Sequence, residues 1–176
     1  VRENYGIGMD DEQWDPTTDA GTQDLVRRGD TIGVFYVESP SMRQLQQKCR
    51  TGDFDHLVIH SSIIRPAANK YIREYVRRLR GGSYQSLHPI LDEVLGETYG
   101  IMVYQEDVSR IAMAMAGFNA SDADLLRKIL SKKRAGKKLE DYKEMFYAGA
   151  AARRVSQKVT DEVWDMILSF SGYSFC

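Results

Sequence analysis

Apolar positions recur at helical spacing over most of this chain, and the residues between them are those that start and stop helices. Near the start, Thr22 suits the cap of a short helix ending near Gly29, and Ser39 or Ser41 caps one running towards Arg50. Phe54, Leu57, Val58 and the Ile63–Ile64 pair mark a further stripe, which Pro66 breaks or restarts. Ala67–Leu79 turns Tyr71, Ile72, Val76 and Leu79 inward and its arginines outward, then stops at Gly81–Gly82. Pro89 fits the first turn of a helix over Ile90–Leu95, closed by Gly96. Another helix runs from about Gln105 to Ala116 and ends at Gly117. Ser121 with Asp124 has the form of a capping box, opening a helix that buries Leu125, Leu126, Ile129 and Leu130. A longer helix covers about Leu139–Arg153, and Thr160 caps a last one burying Val163, Trp164, Ile167 and Leu168. Two short runs, Ile32–Val37 and Ile101–Tyr104, are rich in β-branched and aromatic residues and read as strands. The pattern predicts a mainly α fold with minor β. Residues 1–30 have little apolar periodicity and read as an acidic lead-in to a helical region over residues 31–176.

Length and composition narrow the class. With 176 residues and 43% hydrophobic residues the chain can bury a real core, and 28% charged residues argues against wholesale disorder. No apolar run approaches the ~18 residues of a membrane span, and no signal-peptide pattern opens the chain. Two cysteines, Cys49 and Cys176, are too few for a disulfide framework or a four-cysteine zinc site. The expected setting is soluble, reducing and cytoplasmic.

The formal net charge of -1 conceals a polarity. In residues 1–30, Arg2, Arg27 and Arg28 face eight acids, whereas Arg65–Arg80 carries six basic residues against Glu74 alone. Arg127–Lys138 carries seven basic residues and no acid. Such blocks fit either a surface that meets phosphates on one side or solvated helix faces. Metal and nucleophile motifs score poorly. His56 and His60 have the i, i+4 spacing of a zinc pair but lack a glutamate between them and a third ligand. His88 before Pro89 reads as a turn contact, Cys49 lacks a thiolate-stabilising setting, and no glycine-rich phosphate loop occurs. Arg127, Lys128, Lys132, Lys133 and Arg134 make the most suggestive element, because clustered guanidinium and ammonium groups suit polyanions. Tyr142, Phe146 and Tyr147 lie nearby, at spacing more typical of a core than of base stacking.

Taken in order, several motifs resemble the fingers region of the bacterial DNA polymerase III alpha subunit. The most specific is Thr98-Tyr-Gly-Ile-Met-Val-Tyr-Gln-Glu106. Gly33-Val-Phe with Val37-Glu-Ser39, Ser41-Met-Arg43, Ile64-Arg-Pro66, Ala116-Gly-Phe118, Ala123-Asp-Leu-Leu-Arg127, Ser131-Lys-Lys133 and Phe170-Ser-Gly-Tyr-Ser-Phe175 support it. The resemblance implies a fragment of a DNA-directed DNA polymerase, truncated at its C-terminus and inactive alone, acting in DNA replication. It implies Mg2+ in the parent enzyme, held by palm carboxylates outside this chain and not by this fragment. It implies nucleotide contacts at Arg127, Lys128 and Tyr173, with no catalytic residue here. Further phosphate or DNA contacts are expected at Lys132, Lys133 and Arg65. The implied partners are deoxynucleoside triphosphates, primer-template DNA and, through parts of the parent not present here, other holoenzyme subunits such as the sliding clamp. Departures from the family pattern, Arg65-Pro66-Ala67-Ala68 and Glu38-Ser-Pro-Ser-Met42 among them, also admit a divergent accessory or lower-fidelity polymerase. A non-enzymatic helical nucleic-acid-binding module is the remaining alternative.

Overall fold

The computed structural model describes residues 15–131 and 136–170. Among them it contains nine α-helices, three short 3₁₀ turns and no strand, so the fold is mainly α. The described residues divide into two compact units, with the division between Ser61 and Ser62.

In the first unit, α1 (Ala20–Arg28) is capped by Asp19, whose carboxylate accepts from the Thr22 backbone N–H; Thr22 is the donor at this end, not the cap. Its last turn carries Arg27 and Arg28, where cations complement the helix dipole. Helix α2 (Pro40–Cys49) starts with Ser39 accepting from the Met42 N–H and Pro40 in its first turn, and buries Met42, Leu45, Gln46 and Cys49. The Arg43 Nε donates to the Gly29 carbonyl at 2.8 Å, tying α2 to the end of α1. Helix α3 spans Phe54–Ile63, and its last two residues are counted with the second unit.

The strand expected over Ile32–Val37 is instead two consecutive turns. The Val34 N–H bonds the Thr31 carbonyl and the Val37 N–H bonds the Val34 carbonyl, both at 3.2 Å. Gly33 and Tyr36 adopt φ of 81° and 71°, which bend the chain out of an extended path. Thr31 Oγ1 closes the loop by donating to the Val37 carbonyl at 2.7 Å. Phe35 is left 89% exposed, so the apolar composition of this run does not reflect burial.

His60 on α3 is fully buried, and that burial pushes its pKa from 6.5 down to about 4, the charge of His56 adding to the effect and Asp53 opposing it. The unfolded chain therefore takes up a proton between about pH 6.5 and 4 that the folded chain refuses. The stabilisation is complete above pH 6.5 and is lost as the pH falls towards 4, by up to about 3 kcal/mol. The urea midpoint of the wild-type chain is expected to fall more steeply between pH 7 and 5 than that of His60→Gln. Parallel pH profiles of the two proteins would refute this assignment.

The second unit contains α4 (Asn69–Leu79), α5 (Pro89–Leu95), α6 (Gln105–Ala116), α7 (Ala120–Leu130), α8 (Gly136–Ala152) and α9 (Gln157–Leu168). Helix α6 is central and packs against α5, α7 and α8. It buries Val108, Ile111, Ala112 and Met115 and ends at Gly117 in the left-handed region, φ 75°. Arg153 completes that end, its Nη1 donating to the Met113 and Ala114 carbonyls at 2.9 and 2.6 Å. On α8, Phe146 is fully buried and stacks 5.4 Å from Trp164 of α9, with Tyr147 edge-on to the same indole. Tyr142, Phe146 and Tyr147 thus belong to one aromatic cluster with Phe118 and Trp164.

Several sequence expectations shift by a residue or a face. On α4, Tyr71 and Tyr75 are buried while Ile72, Val76 and Leu79 are half-buried. Asn119 caps α7, accepting from the Asp122 N–H at 2.9 Å, and the helix starts one residue before Ser121. Its buried face is Ala123, Leu126, Ile129 and Leu130, which leaves Leu125 43% exposed. Ser156 caps α9; Thr160 lies one turn inside, its hydroxyl bonded to the Ser156 carbonyl, and Leu168 falls on the solvent side.

Ile101–Tyr104 forms no regular element, Ile101, Met102 and Val103 are buried, and no neighbouring strand serves them among the described residues. Side chains supply the missing hydrogen bonds. Thr98 Oγ1 donates to the Ile101 carbonyl at 2.6 Å, and Asp107 accepts from the Val103 and Tyr104 N–H groups at 3.0 and 2.9 Å. Arg65 donates to the Val103 carbonyl at 2.7 Å and the Met102 carbonyl at 3.3 Å. Every buried peptide group needs a partner, and this segment finds its partners without a ladder.

Candidate functional site

Helix α7 is anchored by four buried apolar residues, which leaves the opposite side of its last turn to Arg127 and Lys128. Cations are favoured there by the helix dipole. Asp124, one turn earlier, binds both. Its Oδ1 accepts from Arg127 Nη2 at 2.7 Å and Nε at 3.1 Å, and its Oδ2 lies 2.6 Å from Lys128 Nζ. Gln105 Oε1, at the start of α6, accepts from Arg127 Nη1 at 3.5 Å. The hydrogen bond from Lys128, then those from Arg127, hold the Asp124 carboxyl below the usual carboxylate range. Three formal charges thus meet in one exposed cluster of net +1. The Arg127 side chain is 29% exposed and that of Lys128 59%, so both face solvent over part of their surface.

The structure brings Arg127 and Lys128 together, as their adjacency on one helix turn requires. Tyr173, Lys132 and Lys133 lie outside the described residues. Arg65 sits elsewhere: it is 3% exposed, its guanidinium donates to the Val103 and Met102 carbonyls and to Ser169 Oγ at 3.2 Å, and it stacks 3.6 Å from the Phe170 ring centroid. Its donors serve the core of the second unit rather than an open surface. Sequence reasoning missed Asp124 as the partner of the basic pair, because its place in a capping-box pattern accounted for it cheaply. The i, i+3 and i, i+4 spacings to Arg127 and Lys128 were the signal available.

Among the described residues, no three His, Cys, Asp or Glu side chains gather as a metal ion would require. His56 is instead hydrogen-bonded through Nδ1 to Asp53 at 2.7 Å, and His88 caps α5 by accepting from the Ile90 N–H. Among the same residues, no helix is long and apolar enough to cross a membrane.

Comparison with known proteins places these features. The model of the bacterial DNA polymerase III alpha subunit finger domain matches residues 1–154. The DNA polymerase III subunit alpha of Halalkalibacterium halodurans is 36% identical over 176 residues, 99% of this chain and 16% of that protein. That of Staphylococcus aureus is 34% identical over 176 residues, again 99% of this chain and 16% of the relative. The Neisseria meningitidis protein of the same name is 34% identical over 160 residues, 91% of this chain and 14% of the relative. The chain therefore spans about one-sixth of the length of these relatives. A helical arrangement of the described residues, a match running from residue 1 to just past the end of α8, and relatives above 30% identity agree: the chain belongs to the bacterial DNA polymerase III alpha subunit finger domain family.

Proposed function

We propose that this chain forms part of the fingers of a DNA-directed DNA polymerase, where Arg127 and Lys128 receive the triphosphate of an incoming deoxynucleotide. The observation that carries the reading is the pairing of both cations on the single carboxylate of Asp124. That arrangement keeps a planar guanidinium and an ammonium adjacent, oriented and partly hydrated. A triphosphate offers more charge and more acceptor oxygens than one carboxylate, so it competes for the same donors. Asp124 then acts as a placeholder, released when the nucleotide arrives. Tyr173 flanks the nucleotide in this reading, Lys132 and Lys133 extend the phosphate contact, and primer-template DNA lies alongside. The bond-making chemistry of such a polymerase, with its magnesium ions, belongs to carboxylates outside these residues. The setting is the bacterial cytoplasm, with the remaining holoenzyme subunits contacted through other parts of the polymerase.

Single-nucleotide incorporation by the full-length polymerase that carries this segment tests the reading. Leu126, Ile129 and Leu130 fix α7, so Arg127→Ala leaves its fold intact. A charge-assisted hydrogen bond contributes about 1.5–3 kcal/mol, which predicts a loss of about 10- to 150-fold in kcat/KM for the nucleotide. Affinity for primer-template changes much less. Asp124→Asn removes the competing carboxylate and lowers the nucleotide KM by about twofold to fivefold, the scale of a surface ion pair. Unchanged kcat/KM in a well-folded Arg127→Ala enzyme removes the pair from the site. Loss of DNA binding with unaltered nucleotide kinetics favours a nucleic-acid-binding role instead.

A further inference from the structure

A cavity of about 490 Å³ opens in the second unit, between α4 and α9. Its volume lies within the ~300–1,000 Å³ range of small-molecule sites. The floor is apolar and buried, made by Ile101 and Met166 at 2% and 4% exposure, and the rim is charged. Four carboxylates line it, those of Glu74, Asp161, Glu162 and Asp165, against two cations, Lys70 and Arg78.

Both cations are already committed. Lys70 Nζ lies 2.8 Å from Asp165 Oδ2, which also accepts from Tyr71 Oη at 2.9 Å. Arg78 Nε is 2.7 Å from Glu74 Oε1, and its Nη1 donates to the Tyr99 carbonyl at 2.6 Å. Asp161 accepts from the Tyr147 hydroxyl at 2.8 Å, and no cation pairs with either Asp161 or Glu162 among the described residues. The cavity thus keeps a formal charge of -2 at its mouth above an apolar floor. The carboxylates are spread around the rim, and among the described residues no three acidic or imidazole groups converge tightly enough for a metal ion.

We infer that this cavity is a binding site for a small organic cation, an alkyl-ammonium or alkyl-guanidinium whose charged head meets Asp161 and Glu162 while its alkyl chain lies on Ile101 and Met166. An extended amphipathic cation satisfies both halves of the lining, whereas an anion meets like charge and a purely apolar molecule leaves the charge of Asp161 and Glu162 without a counter-ion. Occupancy would hold α9 against α4 and the Gly100–Ile101 segment, because the lining includes residues from all three.

Agmatine titrated into the 176-residue chain and followed by NMR is the test. The expected result is saturable shifts of the Ile101 and Met166 methyl groups and of nearby α9 amides, weakening as salt is raised. The exposed pair of substitutions Asp161→Asn and Glu162→Gln should weaken binding by about threefold to tenfold, since each exposed charge contact contributes modestly. Butylurea, similar in shape but neutral, should produce no saturable shift. Linear shifts with agmatine, equal affinity in the doubly substituted chain, or equal binding of butylurea would each overturn the assignment.

Discussion

Replacing Gly149 with valine is expected to lower the stability of the chain by about 3 kcal/mol, the upper end of overpacking costs. Gly149 lies in α8 where that helix crosses the end of α6, and a Cβ built on it would fall on the Ala116 backbone carbonyl. A backbone atom cannot swing aside as a side chain does, so the two helices must separate. Separation strips contacts from Phe146, Ala150, Ala112 and Met115, which are all fully buried. Helix propensity alone argues the other way, since an interior glycine is about 1 kcal/mol worse than alanine. Alanine at 149 is therefore the sharper experiment: propensity predicts stabilisation, and the crossing predicts loss. Thermal melts should show a fall of about 6–12 °C for valine and a smaller fall for alanine. Gly96 supplies the control, because nothing lies within 4 Å of its virtual Cβ and Gly96→Ala should change little. An unchanged or raised melting temperature in Gly149→Ala would show that α6 and α8 are not in such close contact.

Arg65→Met is expected to cost at least about 3 kcal/mol, through a different mechanism. Methionine keeps much of the volume and the apolar stem but removes the donors that reach the Met102 and Val103 carbonyls and Ser169 Oγ. Buried acceptors without donors cost more than the net worth of the bonds they lose. The stack on Phe170 is lost as well. Arg65→Lys should recover only part of the loss, since an ammonium cannot serve two carbonyls and a hydroxyl with the geometry of a guanidinium fork. Urea denaturation of the three proteins measures this directly. If Arg65 were a surface phosphate contact, the midpoint would stay within the small range typical of exposed substitutions.

Arg65 also shows where sequence reasoning reached its limit. Basic residues between 65 and 80 looked alike in the sequence, yet Arg73 and Arg77 are exposed and Arg65 is buried. Its partners lie 37, 38 and 104 residues away, and no local pattern joins them. Helices were legible where local signals agreed. Gln105–Ala116 is found at the expected residues because an apolar stripe ends at a glycine that takes the left-handed cap. The expectation failed where composition was used without a partner. Ile32–Val37 has strand-like residues, but a strand needs a neighbour, and Gly33 and Tyr36 fold the run into turns. The Arg127–Lys128 pair was legible because it lies on one helix turn. The cavity between α4 and α9 was not, because its lining is assembled from residues 70 to 166.

The irregular segment Ile101–Tyr104 has a consequence for how this region tolerates change. A strand in a ladder can slip by two residues and find equivalent partners, since the pattern of donors and acceptors repeats. Here five peptide groups are matched to three unlike side chains: the Ile101 carbonyl to Thr98, the Met102 and Val103 carbonyls to Arg65, and the Val103 and Tyr104 N–H groups to Asp107. No repeat exists to slip along. Moving the segment by one residue breaks every match at once. Substitutions that preserve apolar character can be absorbed here, whereas a single insertion or deletion cannot, and the segment behaves as a fixed word rather than as a sliding scale.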